Sequence, residues 1–263
     1  MSVTTSSDPL SLRFEALARS GRRALVTYMT AGHPDPEQSV ALMRALEEGG
    51  ADVLEVGVPF SDPMADGPVI QRSSQVALGH HVGLSQVLEM VQAASLSIPV
   101  VLFSYLNPIM AAGLDVLGRA ADAGVHGLLL TDVPVGADPV RESWIGEGPL
   151  AFVRLVAPTT PVERMREIAR HGRGFVYLIS RLGVTGMQRD VASDLPESIA
   201  RLRSATDLPI CVGFGVSTGA QAKTIGRLAD GIVVGSAIVK AAESGVDAAR
   251  ALTVELRQAL DTL

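Results

Sequence analysis

Residues 53–68 read Val53-Leu54-Glu55-Val56-Gly57-Val58-Pro59-Phe60-Ser61-Asp62-Pro63-Met64-Ala65-Asp66-Gly67-Pro68. The first six are apolar on both faces apart from one carboxylate, as suits a short parallel strand covered on both sides. A Pro-, Gly- and Asp-rich loop follows, and the pair reads as the start of a strand–loop–helix unit. The same unit recurs along the chain. Apolar runs lie at Ala24–Thr30, Val53–Val58, Pro99–Tyr105, Val125–Asp132, Ala151–Ala157, Gly174–Ser180, Pro209–Gly215 and Asp230–Gly235. Amphipathic helical patterns separate them, among them Pro36–Glu48, Val162–Ala169, Leu195–Ser204 and Thr218–Leu228. Eight such beats within 263 residues predict a (β/α)8 TIM barrel, with a doubly wound open sheet as the competing arrangement. With no linker or shift in composition, one domain is expected over residues 1–263, carrying a short polar tail over about residues 1–8.

Composition narrows the class. The chain is 47% hydrophobic and 19% charged, enough apolar material for a large core. A net charge of −6 argues against a nucleic-acid binder, which would carry a basic face. Cys211 is the single cysteine, so no internal disulfide forms, and a lone thiol in an apolar run reads as a core residue of a reducing compartment. The N-terminal residues lack the basic and apolar regions of a secretory signal. No stretch reaches the roughly 18 to 20 apolar residues that span a bilayer, so a cytoplasmic location is expected.

Glu55 is the first chemical clue. A carboxylate in a buried strand loses its hydration without an assured partner, and its cheapest escape is a raised pKa. That makes it a candidate proton donor and acceptor near neutral pH. By alternation, Val53, Glu55 and Gly57 share one face, and Leu54 and Val56 the other. Leu54 and Val56 suit the helix-covered outside, which leaves Glu55 pointing into the barrel near its C-terminal mouth. The alternative is a buried structural acid satisfied by a partner. Asp62 and Asp66 share the following loop, where Asp is also ordinary turn punctuation. Residue chemistry alone leaves open which of the two joins Glu55.

The longest strand-to-helix connections are 59–69 and 181–193, and such loops build active sites on the C-terminal face of a barrel. Glycine clusters follow three later strands, at Gly183-Val184-Thr185-Gly186, Gly213-Phe214-Gly215 and Gly235-Ser236. Each alone is indistinguishable from turn glycines. Together, at consecutive strand ends, they point to a phosphate held by backbone N–H groups. Gly213 to Gly219 is not a dinucleotide fingerprint, because its third glycine comes one residue late.

Two lysines, Lys223 and Lys240, fall in helical segments, which leaves no amine at a strand end for a Schiff base. The histidines His33, His80, His81, His126 and His171 show no ligand spacing there, so no catalytic metal is expected. His80-His81 reads as the flank of a surface helix, and Trp144 and Met187 as packing. Any carbon–carbon chemistry must therefore use carboxylates and the substrate's own electron sink.

The segment Glu55–Pro68, with Ser61-Asp62-Pro63-Met64-Ala65-Asp66-Gly67-Pro68 at its centre, resembles the tryptophan synthase alpha chain family. The likeness continues through Tyr105-Leu106-Asn107-Pro108-Ile109, Asp132-Val133-Pro134, Leu155–Pro161, Ser180–Gly186, Gly213-Phe214-Gly215 and Gly235–Val239, nearly the whole chain in order. The resemblance implies retro-aldol cleavage of indole-3-glycerol phosphate to indole and glyceraldehyde 3-phosphate. It makes Glu55 the catalytic acid/base and Asp66 the carboxylate that holds the indole N–H. Thr185 would sit on the loop that closes over Asp66, and Tyr177 beside the glutamate. Phosphate donors would fall on Gly186, Gly215, Gly235 and Ser236. The indole walls would come from Tyr28, Phe103, Tyr105, Leu129 and Phe214. The resemblance also implies no cofactor in this chain. A pyridoxal-phosphate beta chain would join it in an α2β2 complex, meeting Asp62, Asn107 and Pro134. His33 departs from the family, many of whose members carry Asp there. A stand-alone indole-releasing lyase, a phosphosugar isomerase or epimerase on the same barrel, and a non-catalytic scaffolding subunit are the rival readings.

Overall fold

The computed structural model describes residues 8–179, 194–213 and 215–263. Its elements run α1 (Pro9–Arg19), β1 (Ala24–Thr30), α2 (Pro36–Glu48), β2 (Val53–Gly57), α3 (Pro68–Gly79), α4 (Leu84–Ala94), β3 (Val100–Ser104), α5 (Leu106–Ala111), α6 (Val116–Asp122) and β4 (Gly127–Leu130). They continue through α7 (Pro139–Gly146), β5 (Ala151–Val156), α8 (Val162–Arg170), β6 (Val176–Ile179), α9 (Leu195–Arg203), β7 (Ile210–Gly213), α10 (Gly219–Gly226), β8 (Gly231–Val234), α11 (Ser236–Ala242) and α12 (Val246–Leu260). The strands are parallel and close in sequence order, β8 pairing back onto β1. This is a (β/α)8 barrel, and the closure excludes the open sheet.

Every expected run contains its strand. The ends are trimmed where the backbone has another partner. In the run Val125–Asp132 the ladder begins only at Gly127, because Val125 N still bonds the Ala120 carbonyl at the end of α6. Helix starts follow local chemistry. Asp35 caps α2 by accepting from Glu37 N at 2.8 Å, with Pro36 in the first turn, where its missing N–H costs nothing.

Two apolar layers hold the barrel. Outward side chains such as Leu54, Val56, Leu102, Leu128 and Val212 join the helices in one continuous cluster. Inward ones, including Val26, Val53, Val101, Leu129, Val153, Cys211 and Val233, fill the barrel itself. Helix α1 closes the N-terminal end: Leu10, Phe14 and Leu17 belong to the inner cluster, and the Phe14 ring lies 5.2 Å from that of Phe175. A Cβ on Gly174 would come within 2.4 Å of Leu10, and one on Gly127 would crowd it at 3.3 Å, so bare backbone makes room for the plug. A buried carboxylate ties this end together. Asp52 accepts from Leu25 N at 2.9 Å, Arg13 Nη2 at 2.6 Å and Arg257 Nη1 at 2.8 Å. Thus α1, β1 and α12 are pinned at the face opposite the strand C-termini. No described helix is long and apolar enough to cross a membrane.

Candidate active site at the barrel mouth

The alternation read from the sequence places Glu55 correctly. Leu54 and Val56 pack outward, Val53 fills the barrel, and Glu55 faces inward at 1% exposure. Its Oε1 is buried with no hydrogen-bond partner among the described residues. A carboxylate with an oxygen left unpaired would be badly solvated, and burial alone raises its pKa to about 8. The reading of Glu55 as an acid satisfied by a structural partner therefore fails at Oε1. A group in this condition is a candidate for exchanging a proton with a ligand.

Two tyrosines flank it. Tyr28, on β1, pairs in register with Glu55, and Tyr177 comes from β6. Each ring lies across a glycine of the next strand. A Cβ on Gly57 would come within 2.1 Å of the Tyr28 hydroxyl, and one on Gly213 equally close to that of Tyr177. Burial raises both phenol pKa values, and the Glu55 and Asp66 charges add to the effect. Both hydroxyls are therefore neutral at physiological pH.

Asp66 stands on the connection between β2 and α3. Tyr105 Oη donates to its Oδ2 at 3.0 Å and accepts from Ala65 N at 2.9 Å, while Gln71 Nε2 donates to the Asp66 carbonyl at 2.9 Å. Burial raises the Asp66 carboxyl to about 6 despite the opposing hydrogen bond from Tyr105. The two acids thus occupy different environments, the higher pKa at Glu55. Asp62 is exposed, bonded to its neighbour Ser61.

Around the acids lies an apolar wall. The Tyr28 ring meets Phe103 edge-on at 5.2 Å, and both pack with Val69, Ile70 and Val239. Leu129 lies deeper, in the inner cluster that Phe103 and Tyr177 also touch. Tyr105 differs from a simple wall residue: it stacks at 5.0 Å on Phe60 and spends its hydroxyl on the Asp66 loop. Nothing in the spacing of residues 66 and 105 signals this contact, which exists only because β2 and β3 are neighbours.

Gly215, with φ at +32°, and Gly235-Ser236 follow β7 and β8, which pair with each other. Gly235 approaches the Tyr28 ring, so these turns open onto the same mouth. Thr185, Gly186 and Phe214 lie outside the described residues, as do Met187 and the connection 181–193. Asp62, Asn107 and Pro134 are all exposed and follow the consecutive strands β2, β3 and β4. Lys223 and Lys240 are helical, His80 caps the end of α3, and Cys211 is buried inside the barrel. Trp144 packs against the outer core. His33 is buried after β1, its Nε2 3.8 Å from Glu243, which also pairs with Arg72. Among the described residues no cluster of three or more His, Cys, Asp or Glu side chains could hold a metal ion.

A separate cleft of about 540 Å³ opens outside the barrel, lined by residues of α7 and of the end of α8. Its buried Arg154 is already engaged by Glu142 at 3.2 Å and by the carbonyls of Val133 at 3.2 Å and His171 at 3.1 Å. The barrel mouth, where the Glu55 Oε1 lacks a partner among the described residues, is the candidate site.

Fold and mouth together define a (β/α)8-barrel enzyme. Comparison with known proteins is specific: the family model described as "Tryptophan synthase alpha chain" matches residues 14–262, and the chain belongs to that family. The alpha chain of Laribacter hongkongensis is 45% identical over 257 residues, covering 95% of this chain and 97% of that one. The alpha chain of Chromobacterium violaceum is 49% identical over 229 residues, 86% and 87% of the two chains. A solved tryptophan synthase structure from Mycobacterium tuberculosis superposes with a TM-score of 0.89 at 38% identity, covering 97% of this chain and 99% of that chain. The chain is thus a lyase of tryptophan biosynthesis, and membership favours this over an isomerase on the same barrel. The family implies a beta chain as partner.

Proposed function

We propose that this chain cleaves indole-3-glycerol phosphate to indole and glyceraldehyde 3-phosphate, with Glu55 as the acid and base and Asp66 as the electrostatic partner of the ring. The observation that supports it best is the buried, unpartnered Glu55 oxygen, on an acid whose pKa burial lifts to about 8.

The proton inventory closes. Protonated Glu55 gives its hydrogen to indole C3, and the ring becomes an indoleninium with positive charge on nitrogen. Ionised Asp66 accepts from the ring N–H and stabilises that charge, which is worth more in a partly dry site than in water. The bond from C3 to the side chain then breaks, and its electron pair restores the aromatic ring. The adjacent side-chain hydroxyl becomes the aldehyde and returns its proton to Glu55. No Schiff base or metal is needed, because the protonated indole is itself the electron sink.

Backbone N–H groups at Gly186, Gly215 and Gly235, with Ser236, would hold the phosphate, and Tyr28, Phe103, Tyr105, Leu129 and Phe214 the indole. Thr185 would help close the loop over Asp66, and Tyr177 would support Glu55. The chain itself would use no cofactor. It would work in the cytoplasm within an α2β2 complex whose beta chain carries pyridoxal phosphate and meets Asp62, Asn107 and Pro134. Indole release from indole-3-glycerol phosphate, measured with and without a beta chain, tests this. Turnover that rises sharply with the partner supports an alpha chain, whereas equal high turnover without it supports a stand-alone lyase. No indole under either condition overturns the reading.

A further inference from the structure

We infer that the phenolic oxygen of Tyr28 is a fixed hydrogen-bond acceptor for a hydroxyl of the substrate side chain, set in that role by a one-way chain of hydroxyls ending on α3. The inference rests on the substrate reading above and adds a specificity contact to it.

Hydrogen counting gives the direction. Ser73 Oγ lies 2.8 Å from the Ile70 carbonyl, which can only accept, so the single hydroxyl hydrogen of Ser73 is used there. With that bond and the next two made together, Thr30 Oγ1, 2.7 Å from Ser73 Oγ, is the donor to it. Tyr28 Oη, 3.2 Å from Thr30 Oγ1, must in turn donate to Thr30. Its hydrogen is therefore turned away, and lone pairs are what remain for a ligand. The chain is buried throughout, so water does not readily reverse it: Thr30 is 1% exposed, Ser73 0% and Tyr28 6%.

The position suits a ligand contact. Tyr28 pairs in register with Glu55, and bare Gly57 leaves space for its hydroxyl at the end of β2. Glu55 of β2 and Asp66 of the following loop both act electrostatically on the phenol, so it lies within reach of both acids. A ligand entering here meets acceptors at ionised Asp66 and at Tyr28, and a buried Glu55 oxygen without a partner. The free lone pairs of Tyr28 call for a donor. A hydroxylated side chain supplies one, and a side chain stripped of its hydroxyls leaves those lone pairs desolvated and unsatisfied.

The test uses the full-length chain and two ligands: indole-3-glycerol phosphate, and the indolyl propyl phosphate that lacks both side-chain hydroxyls. Tyr28→Phe is expected to lower kcat/KM for the substrate about three- to tenfold, the range of a single neutral hydrogen bond. Its affinity for the stripped analogue should stay within about twofold of wild type or improve, since that ligand makes no such bond. Thr30→Val, which frees the phenolic hydrogen to turn inward, should also lose at least about twofold for the substrate alone, and Thr30→Ser should restore wild-type behaviour. Equal losses for both ligands in Tyr28→Phe would make the residue a packing element and overturn the contact. So would wild-type kinetics in Tyr28→Phe, or a Thr30→Ser variant as impaired as Thr30→Val. A wild-type chain that binds the analogue but releases no indole would instead overturn the functional reading, and the contact with it.

Discussion

Tyr105 donates its phenolic hydrogen to Asp66 at 3.0 Å across the gap between the end of β3 and the loop after β2. The same oxygen accepts from Ala65 N, so one side chain fixes both the carboxylate and the backbone that carries it. A loop acid held in this way is preorganised, which is what charge stabilisation of a short-lived cation requires.

Removing that hydroxyl should show in the acid limb of the pH profile. The Tyr105 hydrogen bond favours ionised Asp66, and burial opposes it. In Tyr105→Phe the Asp66 carboxyl is expected to titrate higher, so that kcat/KM for indole release begins to fall at a higher pH than in wild type. Asp66→Asn should lose at least about tenfold, roughly 1.4 kcal/mol, and should lack that limb altogether. Kinetics across the pH range check both, and an unmoved limb in Tyr105→Phe would separate Tyr105 from the function of Asp66.

For the wild type, the proposed roles of the two acids set a window. The proposed mechanism calls for Asp66 ionised, above about 6, and Glu55 protonated at the start, below about 8. A bell-shaped kcat/KM profile with limbs near those values is expected. A flat profile through that range would remove these residues from the rate-determining protonation states.

Glu55 also costs stability, with a defined sign. Its folded pKa, about 8, lies above the ordinary 4.5, so the folded chain binds this proton more tightly than the unfolded chain does. Stability is then lost as pH rises from the ordinary value through the folded one. Glu55→Gln is expected to match wild type near pH 4.5 and to exceed it by on the order of a few kcal/mol above pH 8. Urea midpoints at the two pH values measure this. Equal stability at high pH would mean that the ionised carboxylate finds a partner on folding.

At the opposite end of the barrel the same chemistry serves architecture. Asp52→Ala strips Arg257 and Arg13 of their shared carboxylate and leaves the Leu25 N–H unpaired. The expected loss is roughly 3–5 kcal/mol, with little change in kcat at low temperature. Denaturant titration and a turnover assay on the same sample separate the two effects.

Much of this was legible from residue order. The eight apolar runs each hold a strand, and alternation around Glu55 sorts Leu54 and Val56 outward because a parallel barrel strand is covered on both faces. The Glu55 environment follows from the same reasoning, since an acid in a fully apolar run has few ways to be satisfied. The plug α1 was missed, although Leu10, Phe14 and Leu17 sit at i, i+4 and i+7, a helical spacing that carries the signal. Tyr105 on Asp66, the Tyr28–Thr30–Ser73 chain and Asp52 between two arginines were not legible. Each joins residues from different elements, and their meeting depends on strand register and helix placement that no local pattern encodes.

The central claim is that Glu55 moves the proton, and the most direct measurement is single-turnover indole release from indole-3-glycerol phosphate by Glu55→Gln beside wild type. Gln keeps the shape and cannot exchange the proton. The variant is expected to bind substrate with near wild-type affinity and to release no measurable indole. Turnover within about tenfold of wild type, only about 1.4 kcal/mol of barrel-mouth chemistry, would contradict the role assigned to Glu55.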